Sequence, residues 1–133
     1  MEELSKNNQK KEEKKSIIDI FNLFYVRVYL VILFVLNLLS WLFVYFFFTK
    51  VSQSLIILHY NVDFGVDLIG DVKNIFIIPA LGLFIIIFNL IISSLFLENK
   101  HFKFVTHLLL ASATLVNLFL LLALGPIYLI NFR

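Results

Sequence analysis

Residues 58–71, LHYNVDFGVDLIGD, gather one histidine, one asparagine, three aspartates and two glycines between stretches of nearly pure hydrocarbon. Asp63, Asp67 and Asp71 recur every four residues. On one helical face they would make a carboxylate ladder able to hold a hard cation through oxygen ligands. Gly65 and Gly70 oppose a continuous helix there, and the spacing is not that of an EF-hand loop. His59 with Asp63 or Asp67 offers a second chemistry, acid–base work or a transition-metal site. No nucleophile pattern, HExxH or Gly-rich phosphate loop accompanies them. Cysteine is absent from the chain, which removes thiolate, disulfide and iron–sulfur chemistry. The expectation is a protein without metal, cofactor or catalysis. His59, Asn61, Asp63 and Asp67 then stand as candidate ligand-binding residues of a non-enzymatic surface, with plain turn chemistry competing at each of them.

A second polar set lies inside the hydrocarbon. Asn37, Asn89 and Asn117 fall one to each of three apolar stretches, with Ser40, Ser93 and Thr114 three or four residues away on the same helical faces. Depths counted from Arg27, Glu98 and Lys103 are ~15, ~14 and ~21 Å at 1.5 Å per residue. The expectation is one interhelical polar layer, because an amide facing lipid is costly and an amide bonded across helices contributes ~0.6–2 kcal/mol. Two bland readings compete: contact with a partner subunit, and asparagine that is frequent only through codon bias.

The elements that must carry these residues follow from composition. Of 133 residues 61% are hydrophobic and 15% charged, and the mean hydropathy is +0.96. A soluble chain this small could not cover so much apolar surface, so its solvent is lipid. Crossing a ~30 Å core takes about 20 helical residues. Val28–Phe48, Ile75–Leu97 and Leu108–Ile130 qualify without a single charge, the last span being entered from residue 104. Barrel strands would alternate polar and apolar residues, which these runs do not. The fold class is therefore all-α, with three transmembrane helices in a membrane domain over 28–133. The sixteen phenylalanines fit a low-GC genome in which lipid tolerates Phe. No Asp, Glu, Lys or Arg interrupts the cores, which weakens proton-relay and voltage-sensing readings.

Ahead of the first span, residues 1–16 hold five Lys and four Glu and should form a disordered or loosely helical cytoplasmic tail. They are not a secretory signal peptide, so the first helix is expected to stay as an anchor. Residues 17–27, IIDIFNLFYVR, place Ile17, Ile20, Phe21 and Phe24 at helical spacing and read as an in-plane amphipathic helix ending where Arg27 reaches the headgroups. Pro79 falls in the first turn of the second span and Gly82 permits a close neighbour, whereas Gly125–Pro126 should kink or end the third. His107 reads as a polar anchor near a helix end. With the N-terminus inside, Lys6, Lys10, Lys11, Lys14, Lys15, Arg27, Lys100 and Lys103 face the cytoplasm, against Lys50, Lys73 and Arg133 outside. That bias sets the expected orientation: a multi-pass protein of the cell membrane with a cytoplasmic N-terminus, an external C-terminus and an external loop at 49–74. A structureless connection of that length is uncommon. SLIILHYN could form a short strand or lie on the membrane surface, and Asn61–Gly65 has turn character, so the loop should be an ordered cap.

Within that loop, residues 58–83 resemble the motif of a small bacterial membrane domain of unknown function that opens SdpI-type immunity and signalling proteins. The matching positions are His59, Tyr60, Asn61, Gly65, Asp67 and Pro79. The resemblance implies a multi-pass protein that senses or neutralises something at the outer face, and no enzyme. Three functions remain open at this point: a non-catalytic accessory or assembly subunit of a larger membrane complex, an SdpI-like immunity or sensor module, and a homo-oligomeric channel or carrier. The expected partners are the lipid bilayer and another membrane protein or further copies of the chain, with no nucleic acid.

Overall fold

The computed structural model describes residues 17–63 and 65–132; the charged tail at 1–16 lies outside them. The chain runs through α1 (Ile17–Asn22), α2 (Phe24–Lys50), the antiparallel strands β1 (Leu55–Asn61) and β2 (Gly65–Asp71), a 3-10 turn at Val72–Phe76, α3 (Ile77–Leu95) and α4 (Phe102–Asn131). Three of its helices are long and apolar enough to cross a membrane, and the molecule is an all-α, multi-pass membrane protein with one small hairpin. At 1.5 Å per residue α2 and α4 reach about 40 and 45 Å. Both are longer than a ~30 Å hydrocarbon core is thick.

Buried positions repeat at intervals of three, four or seven. They are Leu33, Asn37, Ser40, Val44 and Phe47 on α2, and Pro79, Gly82, Ile86, Asn89 and Ser93 on α3. On α4 they are Phe102, Thr106, Leu110, Ala113, Asn117, Leu124 and Ile127. A mean near 3.5 residues keeps one stripe facing its neighbours, as in left-handed helix bundles. The composition of the stripe is what a lipid solvent demands. Large side chains such as Phe34, Phe84, Phe88 and Phe119 face outward, because lipid tails are as apolar as any core. The inner stripe keeps Gly, Ala, Ser, Thr and Asn, which let backbones approach and bond across helices. α4 packs against both α2 and α3, while the α2–α3 contact is smaller.

Two expectations require correction. The interfacial helix does not run to Arg27. It stops at Asn22, and Leu23 is extended before α2 begins at Phe24. Arg27, one turn inside α2, folds back: its Nε donates to the Phe21 carbonyl at 2.8 Å and a terminal nitrogen to Asn22 Oδ1 at 3.3 Å. A guanidinium thereby satisfies one carbonyl that the helix end leaves open, and Ile20 is turned into the bundle.

Pro126 does not end the third span, because α4 continues through Asn131. The residues beyond the proline are held from outside the helix. Ile127 is buried, the Tyr128 ring packs on Phe43 and Phe47, and Asn131 bonds the hairpin.

The loop at 49–74 is ordered, as its strand and turn residues lead one to expect. Its LIIL run pairs with β2 as a hairpin, and the 3-10 turn leads into α3, where Pro79 sits in the first turn and breaks no helical bond.

Candidate functional site

In the hairpin, Asn61 Oδ1 accepts from the Asp63 N–H at 2.9 Å, an Asx turn that reverses the chain. Gly65 closes the turn at φ +80°, a conformation that residues with a Cβ avoid. Asp71 Oδ1 accepts from the Lys73 N–H at 2.8 Å and so starts the 3-10 turn. Of the aspartate ladder, therefore, Asp71 is engaged as a cap, and Asp63 is exposed at the tip. Asp67 stands on β2 where the register slips, between Leu68 opposite His59 and Val66 opposite Tyr60. His59 is exposed and opposes Leu68. Among the described residues, no group of three His, Asp or Glu side chains is placed to share a metal ion.

The hairpin is fastened by a residue that the sequence reading passed over. Asn131, in the last turn of α4, accepts from the Ile57 N–H at 2.9 Å and donates to the Ile57 carbonyl at 2.8 Å. One side-chain amide completes both backbone groups of a strand residue, as a neighbouring strand would. Nothing local in the sequence distinguishes this asparagine; only the proximity of a strand edge gives it a role. On the inner face Ile56 is buried among Val44, Phe47, Val72, Ile75 and Leu124. A Cβ on Gly70 would stand 2.6 Å from Leu58 Cδ1, so the strands close tightly there.

Inside the membrane the centre of the polar set is Gly82. Asn37 Nδ2 donates to the Pro79 carbonyl at 2.9 Å, and Trp41 Nε1 donates to Asn37 Oδ1 at 3.1 Å. From the other side Asn117 Nδ2 donates to the Ala113 carbonyl at 3.0 Å and, more weakly, to the Gly82 carbonyl at 3.4 Å. A Cβ built on Gly82 would stand 2.6 Å from Asn117 Oδ1 and 2.9 Å from Asn37 Nδ2. The glycine is the space in which the two amides converge.

Asn89 is not brought to them. It lies seven residues along α3 from Gly82, about 10 Å, and its Nδ2 donates to its own helix at the Ile85 carbonyl. The depth count placed it wrongly because α2 begins at Phe24 rather than Arg27 and α3 ends at Leu95 rather than Glu98. Measured from Phe24, Leu95 and Phe102, it is Asn37, Gly82 and Asn117 that share a level at ~20–22 Å. Ser40 and Thr114 likewise bond their own helices, at the Leu36 and Leu110 carbonyls. Ser93 differs: its Oγ is buried without a hydrogen-bond partner among the described residues, as is Thr106 Oγ1. α3 and α4 are antiparallel neighbours, so counting down one and up the other from Gly82 and Asn117 brings these two hydroxyls level.

At the end of the bundle where α4 begins, His107 sits between two tyrosines. Its Nε2 is 3.3 Å from the Tyr29 hydroxyl, and its ring is 5.2 Å from Tyr29 and 5.8 Å from Tyr25. Tyr25 donates to the Lys103 carbonyl at 3.2 Å. This is a polar–aromatic clamp between α2 and α4 of the kind that settles at a membrane–water boundary. No family model, curated protein or solved structure matches this chain.

Proposed function

We propose that this chain is a non-catalytic accessory or assembly subunit of a larger membrane complex. The observation that carries the reading is how the polar groups inside the membrane are used. Asn37 and Asn117 are engaged in holding three helices around Gly82, and Asn89, Ser40 and Thr114 bond their own backbones. Side chains arranged to wet a pore or hand on protons would present those groups to a lumen, and relays use ionisable residues, whereas the span cores carry no Asp, Glu, Lys or Arg. What remains on offer to other molecules is outward-facing apolar helix surface. Copurification in mild detergent tests the proposal. A stable heteromeric partner supports it, whereas a defined homo-oligomer would favour a channel or carrier.

A second reading draws on the hairpin. It is an ordered cap with His59 and Asp63 exposed, and the SdpI-type resemblance falls on this stretch. In that reading the cap recognises an external ligand. A lone monomer in detergent, with a hairpin whose His59→Ala variant loses protection by the chain against a toxic agent, would favour it.

Either way we propose a cell-membrane protein with the N-terminus cytoplasmic, on the count of eight cationic residues against three. Because the chain has no cysteine, a single cysteine at Val66 should react with an impermeant reagent in intact cells. Labelling at Asn8 instead would reverse the orientation.

A further inference from the structure

We propose that the β1–β2 hairpin is seated in the membrane surface, with Leu55, Ile57 and Ile69 in the headgroup–acyl boundary of the leaflet where α2 ends. A two-stranded hairpin with one face on a protein core normally shows polar residues on the other. Here Ile56 and Gly70 pair on the inner face; on the outer one Ile57 pairs with Ile69, and beside them Leu55 pairs with Asp71, whose carboxylate is engaged by the Lys73 N–H. Leu55 and Ile69 are 58% and 59% exposed. Four consecutive apolar residues, LIIL, give a strand that is apolar on both sides, the pattern of a strand covered on both faces.

Depth says what covers the second face. Asn131 ties Ile57 to the last turn of α4, so the strand lies beside the end of that helix and not on a stalk above it. The end of α4 is in turn level with the end of α2, since the Phe47 ring is 5.5 Å from Phe132 and 6.3 Å from Tyr128. Lys50 closes α2 and Lys73 lies in the turn ahead of α3, the positions where cationic side chains meet headgroups. The outer face of the hairpin thus falls at the boundary those lysines mark. A cleft of about 410 Å³ separates it from the α4 end, lined by Leu55, Ile57, Ile69 and Ile130 with Gln53 and Asn131 at its polar margin. Leu129 beside it is 64% exposed. An apolar wall at this level is filled by acyl chain ends, as for interfacial amphipathic helices. The tip, with Asp63, remains in water.

The test uses the full chain in phosphatidylcholine–phosphatidylglycerol vesicles. Single cysteines at Leu55, Ile69 and Asp63 carry a small environment-sensitive fluorophore, and circular dichroism checks folding. Lipids bearing a spin label near the headgroup end of the acyl chain should remove most of the emission at 55 and 69, while aqueous iodide should act chiefly at 63. Iodide quenching at 55 and 69 equal to that at 63 would overturn the proposal. So would protection from both quenchers, which would mean that protein covers the face. In the unsubstituted chain, magnetisation transfer from lipid methylene protons to the Ile69 methyls should be present, and its absence would overturn the proposal independently of any labelling.

Discussion

The α3–α4 seam contains two polar levels that solve the same problem differently. Around Gly82 a residue without a side chain leaves room for Asn37 and Asn117, and the amides reach carbonyls of another helix. Around Ser93 and Thr106 two short hydroxyls meet no partner among the described residues. Both pairs are buried to similar degrees. Reach separates them: an amide one bond farther out can span to a neighbouring backbone, provided that the neighbour gives up its Cβ. In lipid, where burying apolar area contributes nothing to helix association, the first level should hold the bundle together and the second should add little.

Gly82→Ala should break the comparison most severely. Its methyl would stand within 3 Å of both amides, and neither belongs to a flexible chain free to swing aside. Overpacking of this kind costs about 1–3 kcal/mol, and displacing the amides adds the loss of their bonds, each ~0.6–2 kcal/mol. A drop of about 3 kcal/mol in reversible unfolding in mixed micelles is expected. Wild-type stability in this variant would mean that the helices are not in close contact at this level.

Next in size are the amides themselves. Asn37→Leu and Asn117→Leu should each destabilise by about 1–2 kcal/mol, and the double variant should depart from additivity by more than about 0.5 kcal/mol, since both act through the same glycine. Asn89→Leu is the internal control. Its amide is engaged within α3, so the change should stay within about 0.5 kcal/mol. If Asn89 proved as costly as Asn117, the polar centre would have to extend toward the α4 start.

These two levels also mark what could be read in the sequence. The spans were legible because charge-free runs of twenty-odd residues have one solution in lipid. Asn37 and Asn117 were legible because an amide in such a run must find a partner. Their convergence on Gly82 rather than on Asn89 was not, because it depends on where each helix starts. Leu23 breaks the helix four residues before Arg27, whose side chain folds back to cap the end left at Phe21. Pro126 fails to end α4 because packing beyond it overrides the local signal. The hairpin was half legible: LIIL and the Asn61–Gly65 turn announced it, but its attachment through Asn131 needs the tertiary structure. Local chemistry was readable where it acts locally; partners far apart in the chain were not.

The smallest effect should come from the second level. A buried hydroxyl without a partner carries its desolvation cost uncompensated, and replacing both members of such a pair by apolar groups of the same shape is nearly neutral or stabilising. Thr106→Val keeps the branched shape, and Ser93→Ala removes one oxygen from a fully buried site. The double variant should unfold at or slightly above the wild-type free energy, by up to about 1 kcal/mol. Thermal unfolding in the same micelles would read it, with Gly82→Ala alongside as the calibrated loss. The opposite result has a definite meaning. If the double variant were destabilised by about 1 kcal/mol or more, the two hydroxyls would be bonded to each other or through a trapped water. The seam would then be closed by polar contacts at both levels, and the distinction between them would disappear.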